Sequence, residues 1–130
     1  MNLPKELKYR ETHEWVKTEE DLAYVGISDY AQDSLGDIVF VELPEPGDEF
    51  TAGDEVLTIE SVKAASSIYA PVSGTIEKVN EDLEEKPELI NENPYEQYLF
   101  VLKMSDPSEL EDLLDAGGYK EVVEKEKEEE

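Results

Sequence analysis

The 130-residue chain contains no cysteine. That excludes a disulfide framework, a thiol nucleophile and a cysteine-ligated metal site. It contains one histidine, His13, with no second histidine to complete a metal site, so a structural or surface role is expected there. Cations are scarce: 11 Lys and Arg stand against 35 Asp and Glu, for a net charge of −24. Such a surface repels phosphates and anionic headgroups, which argues against nucleic acid and membranes as partners. No apolar run approaches membrane-spanning length. The opening stretch MNLPKELKYR has neither signal-peptide nor transit-peptide character. A soluble, cytoplasmic monomer is expected.

The acidity itself has two readings. A strongly solvated surface suited to high salt accounts for it, and so does a basic partner surface. Acidic runs such as EDLEEKPE lack the spacing of a calcium loop. Carboxylates are too many for any pair to be singled out as acid and base.

Short strands at regular spacing, separated by Pro and Gly, favour a small β-sandwich or barrel. HEWVKT, LAYVGIS, DIVFVEL, EVLTIES, ASSIYA, TIEKV and YLFVLKM read as strands. In DIVFVEL, alternation sends Ile38, Phe40 and Glu42 one way and Val39, Val41 and Leu43 the other. SDYAQDSLG reads as a short helix capped by Ser28 or Asp29 and ended by Gly36. A second short helix is expected at PELI. SDPSELEDLLDAGG predicts a helix over 107–116. Asp106, Pro107 and Glu109 make its capping-box-like start, and Gly117 and Gly118 its stop.

One cation stands apart. In IESVKAASSIYAPVSG, Lys63 sits between Val62 and Ala64 with no other positive charge nearby. An exposed turn lysine is ordinarily a solubilising charge. The small, apolar neighbours instead suit a tight hairpin tip that holds the lysine out for a modifying enzyme or a long cofactor arm. A Ser61–Lys63 dyad lacks any oxyanion-hole signature. A biotin carrier would flank the lysine with methionines.

The chain resembles the glycine cleavage H-protein family, in order, from about Leu7 to Tyr119. The matching stretches include HEWV, VGISDYAQDSLGDIVFVELPEPG, ESVKAAS, YAPVSG, PELIN and SDPSELEDLLDA. The resemblance implies a mainly β fold: a lipoyl-domain-like sandwich of two antiparallel sheets, with short helices and a C-terminal helix. It implies a carrier domain over residues 1–118, including the helix 107–116, and an acidic helical or frayed tail over 119–130. It implies lipoic acid attached covalently to Lys63, and a shuttle that catalyses nothing itself. Lipoyl-Lys63 would carry the aminomethyl group of glycine from glycine decarboxylase to the aminomethyltransferase. Dihydrolipoamide dehydrogenase and a lipoate-attaching enzyme are the other implied partners. The alternative is an H-like protein that relays lipoyl groups to other enzymes.

The resemblance also assigns residues. Glu60, Gly47 and Gly74 are implied in lipoylation, the glycines by setting turns; Glu60 otherwise reads as an ordinary strand carboxylate. Glu14, Thr12, Leu35 and Ser67 are implied in a cleft that shelters the loaded arm from water. Two departures stand out. Ser67 occupies a position where the family usually has an acid. The stretch EQYLF is one residue short, with Tyr98 where a tryptophan would fall.

Overall fold

The computed structural model describes residues 3–129; Met1, Asn2 and the last residue of the expected tail, Glu130, lie outside them. Within that range the apolar runs form β1 (Lys8–Tyr9), β2 (Glu14–Glu19), β3 (Leu22–Ile27), β4 (Ile38–Val41), β5 (Glu49–Phe50), β6 (Glu55–Ser61), β7 (Ala65–Tyr69), β8 (Gly74–Val79) and β9 (Phe100–Met104). All pairings are antiparallel. One sheet has six strands in the order β1-β2-β3-β9-β8-β5, and the other has three in the order β4-β6-β7.

The two sheets bury their apolar faces against each other, as the sandwich reading requires. Val16, Val25, Ile76 and Leu102 of the larger sheet join Ile38, Val41, Leu57, Ile59 and Ile68 of the smaller in one core cluster. Helix α1 (Asp29–Leu35) begins where the Ser28 hydroxyl accepts the Ala31 N–H at 3.2 Å. It ends at Gly36, whose φ of 78° lies in the left-handed region that glycine enters freely. The polar stretch after β8 carries α2 (Asp82–Glu85) and, at PELI, α3 (Leu89–Glu92). Each short helix drives one apolar side chain, Leu83 or Ile90, into the core.

Asn91 of α3 holds three pieces together. Its Oδ1 accepts the Ile38 N–H at 2.9 Å, and its Nδ2 donates to Gly36 O at 2.9 Å and Gln32 Oε1 at 3.0 Å. The end of α1 and the start of β4 are thereby fixed to one another.

Two expectations fail here. In β4 the alternation breaks: Ile38 and Val41 are both buried, while Val39 and Phe40 are exposed. A bulge against β6 between Ile38 and Phe40 shifts the register, so one extra residue changes which side chains face inward. The helix over 107–116 also gives way. Pro107–Asp112 is a 3₁₀ helix, and α4 runs over Ala116–Glu129. Glu109 does not return to its own cap; its carboxylate accepts the Ser73 N–H at 2.8 Å and the Ser73 hydroxyl at 2.9 Å. Leu114 is drawn into an extended bridge with Tyr9, two bonds of 2.8 Å, which interrupts the helix. Gly117 and Gly118 then open α4 instead of closing its predecessor. Asp115 Oδ1 accepts the Gly118 N–H at 2.7 Å, capping the new start. Residue 118, the expected boundary, therefore falls in the first turn of α4. That helix is docked: Tyr119 and Val123 are buried, and the Tyr119 ring stacks on Tyr9 with centroids 4.7 Å apart.

Candidate functional site: a lysine hairpin beside an α1-walled cavity

Lys63 lies at the tip of the β6–β7 hairpin, exposed. The tip is ordered by Ser61. Its hydroxyl oxygen accepts the N–H of Ala64 at 3.1 Å and of Lys63 at 3.3 Å, while its own O–H donates to Ala64 O at 3.2 Å. Val62 N–H donates to Asp37 O at 2.9 Å, pinning the tip to the α1–β4 junction that Asn91 secures. Across that junction the lysine stem runs close to Gly36: a Cβ there would lie 3.8 Å from Lys63 Cε. Glu60 is exposed on β6, paired with Phe40 on one side and Ala65 on the other. The exposed Val62, Val39 and Phe40 make the tip's surroundings apolar.

A cavity of about 250 Å³ opens beside this junction. Leu35, Ser34, Ala31 and Tyr30 of α1 form one wall, and Ser66 and Ile68 of β7 another. Thr12, His13, Ile27 and Glu126 complete it. A larger cavity of about 350 Å³, lined by Tyr9, Arg10, Glu109 and Asp112 among others, shares no residue with the lysine hairpin.

Thr12 and Leu35, which the resemblance implies in a sheltering cleft, both line this cavity. Glu14 stands behind it, fully buried. Its Oε1 accepts the Thr12 hydroxyl at 2.5 Å, and its Oε2 accepts the Tyr69 N–H at 2.8 Å. Burial pushes its carboxyl up to about 7, against the lowering effect of those bonds and of Arg10. Arg10 in turn donates to Thr12 Oγ1 and stacks over Tyr69.

Ser67 is not at the cavity. Its neighbours Ser66 and Ile68 face inward, and strand alternation turns Ser67 to the opposite face, where its hydroxyl donates to Glu55 Oε1 at 2.5 Å. The two glycines also lie away from the lysine hairpin, at the β5–β8 edge of the larger sheet. Gly47 does set a turn, with φ of 97°. Gly74 does not; it is needed for close approach, since a Cβ there would stand 2.3 Å from Lys103 O. Tyr98, at the shortened loop, packs edge-on against Tyr24 at 5.3 Å, and Asn80 Nδ2 donates to its carbonyl at 3.0 Å.

The sequence gives His13 only a structural or surface role and Glu126 none of its own, yet both line the cavity. His13 adopts φ of 83°, a strained setting for a non-glycine residue, and its ring faces a polar chain. His13 Nδ1 lies 2.7 Å from the Tyr119 hydroxyl, which lies 2.6 Å from Ser28 Oγ. His13 Nε2 meets Glu126 Oε2 at 2.8 Å. Burial lowers the imidazole pKa, with Glu126 opposing. Glu126 looked like part of a frayed charge run. Its signal was the spacing of Tyr119, Val123 and Glu126 at i, i+4 and i+7, which puts all three on one helix face.

Known proteins align with this arrangement over almost the whole chain. The sequence model of the family described as glycine cleavage H-protein matches residues 7–126. A glycine cleavage system H protein of Syntrophomonas wolfei is 56% identical over 126 residues, covering 97% of both chains. One from Thermus thermophilus is 55% identical over 127 residues, covering 97% of this chain and 99% of its own. The crystal structure of a glycine cleavage system H protein from Mycobacterium marinum superposes with a TM-score of 0.84 at 33% identity, over 92% of this chain and 97% of that one. The sandwich, the lysine hairpin and these full-length similarities lead to one assignment: the chain belongs to the glycine cleavage H-protein family.

Proposed function

We propose that Lys63 bears the lipoyl group with which this chain, the carrier component of the glycine cleavage system, moves the aminomethyl group of glycine. The observation that carries the reading is the placement of Lys63: exposed on an ordered tip, its stem against Gly36, one residue from the cavity wall at Leu35. When attached, the lipoyl group supplies a disulfide that accepts the aminomethyl group and is reduced as it does so.

The chain's own residues present and shelter. Ser61 and the Val62–Asp37 bond hold the tip in one shape, so the modifying enzyme meets a preformed lysine. Glu60, exposed three residues before the lysine, is a recognition element for that enzyme. Gly36 leaves the stem a path without a side chain in the way. The cavity walls exclude water from the cargo. Glu14 acts through Thr12, fixing its hydroxyl at the cavity edge. Gly47 and Gly74 shape the opposite sheet edge and act on lipoylation only through the fold.

The chain catalyses none of the steps itself. Glycine decarboxylase loads the arm, the aminomethyltransferase unloads it, and dihydrolipoamide dehydrogenase reoxidises it. Basic faces on these partners suit the −24 charge. The relay alternative is not favoured, because the relatives carry the glycine cleavage name. Lys63→Arg keeps the charge and removes the attachment point. It is expected to abolish glycine decarboxylase-coupled exchange of carbon dioxide with an unchanged melting temperature. Surviving exchange would show that another residue bears the arm.

A further inference from the structure

We propose that Asn91, on α3 and outside the lysine hairpin, is a positioning residue for lipoyl attachment to Lys63. It fixes the main-chain unit to which the hairpin tip is tied. This rests on the carrier reading above and adds to it a residue that acts on the lysine from another element.

The Ser61 hydroxyl shapes the tip from within, and its bonds stay inside the hairpin. Among the described residues, one hydrogen bond ties residues 62–64 to another element: Val62 N–H donates to Asp37 O at 2.9 Å. The placement of Lys63 therefore depends on how firmly Asp37 is held.

Its immediate neighbours hold Asp37 poorly. Gly36 precedes it with φ of 78° and no side chain to restrain its backbone. Ile38 follows it, and the bulge between Ile38 and Phe40 breaks the pairing of β4 with β6 just beyond. Val39 and Phe40 are exposed, so neither side chain anchors the start of β4.

Asn91 supplies the missing restraint. Its Oδ1 accepts the Ile38 N–H at 2.9 Å, and its Nδ2 donates to Gly36 O at 2.9 Å. These are main-chain groups on either side of Asp37, bonded much as a neighbouring strand would bond them. The second Nδ2 hydrogen goes to Gln32 Oε1 at 3.0 Å and ties in α1. The bonds fix which way the amide faces: flipped, it would set oxygen against Gly36 O and N–H against Ile38 N–H. Its base is rigid, because Ile90 is buried and Leu89 packs on the same core. Rigidity thus passes from the core through Asn91, the Asp37 unit and Val62 to Lys63.

With Asn91 in place, the modifying enzyme meets a stationed lysine. Without it, the tip and the Gly36–Ile38 junction move together, and the enzyme must order them on binding. The reacting amine and the ordered complex stay the same, so the loss falls on KM and leaves kcat alone.

The test uses the full-length unlipoylated chain as substrate for a lipoate ligase with lipoate and ATP, followed by intact mass. Asn91→Ala is expected to raise KM for the chain by about three- to tenfold, the range for losing one ordering hydrogen bond, with kcat within about twofold. Amide exchange by NMR supplies the readout that a merely structural role would not move. In Asn91→Ala the Val62 amide should lose about tenfold in protection, while the Ser61 amide, bonded to Ala64 O at 2.8 Å inside the hairpin, keeps its own. A further measurement needs no variant and decides the matter if Asn91→Ala does not fold. In the unsubstituted chain Val62 should be no better protected than Ile38, because opening the Asn91 bond to Ile38 frees the Asp37 unit. An unchanged KM, equal losses at Ser61 and Val62, or a Val62 amide better protected than Ile38 would overturn the inference. Absence of a lipoyl group on Lys63 of the unsubstituted chain would instead overturn the carrier reading beneath it.

Discussion

Glu14 offers a stability measurement that is independent of any cofactor. Its carboxyl is buried and held up to about 7, against an ordinary value near 4.5. The sign follows from linkage. Below pH 4.5 the group is protonated in folded and unfolded chains alike. As pH rises toward 7, the unfolded chain gives up its proton and the folded chain retains it, so the folded state loses stability. Between pH 5 and pH 8 the loss amounts to about 2.5 kcal/mol, at 1.36 kcal/mol for each pH unit over which only one state is ionised. Glu14→Gln removes the titration while keeping both bonds: its carbonyl accepts the Tyr69 N–H, and its amide donates to Thr12 Oγ1. The other carboxylates repel one another in both proteins and cancel in the difference. The stability difference between variant and unsubstituted chain should therefore grow in the variant's favour by about 2.5 kcal/mol from pH 5 to pH 8, or about 10 °C in melting temperature for a chain of this size. Calorimetry of the unmodified chain at constant ionic strength reads it, with pH 5 safely above the pI of about 4.1. Parallel pH profiles would refute the claim that burial governs Glu14.

Two further substitutions probe separate parts of the account. Gly74→Ala places a Cβ 2.3 Å from Lys103 O in the β8–β9 ladder, so urea denaturation should show a loss of about 2 kcal/mol or more. Ser61→Ala removes the acceptor for the Lys63 and Ala64 N–H groups on an exposed tip. It should cost no more than about 1 kcal/mol in stability yet slow lipoylation several-fold, with Ser61→Thr restoring the rate; equal rates for all three proteins would remove Ser61 from lysine presentation.

Local signals in the sequence carried a long way, and they failed where a distant partner intervened. Ser28 and Gly36 bracket α1 because capping and positive φ are decided within the helix itself. Lys63 stands out as a lone cation among small residues, but composition alone leaves it a solubilising charge; the ordered resemblance on both sides of it is what implies an attachment point. The helix expected over 107–116 had correct local signals, but Tyr9 and Ser73, far away in the chain, claim Leu114 and Glu109. The β4 faces escape simple alternation because the sequence pattern carries no sign of the bulge. The resemblance marks Gly74 as a turn glycine; the demand instead comes from Lys103 O across the ladder. Family position implies Ser67 at the cleft, whereas its strand face turns it to Glu55. His13 and Glu126 give weak sequence signals for opposite reasons. A single histidine looked idle, and a glutamate among glutamates looked interchangeable, until α4 brought one onto the other.

The most direct test of the central claim is the mass of the chain after incubation with lipoate, ATP and a competent ligase, followed by location of the modified peptide. One lipoyl adduct per chain, confined to the peptide containing Lys63 and absent from Lys63→Arg, is the predicted result. No adduct, or an adduct on any other lysine, would contradict it.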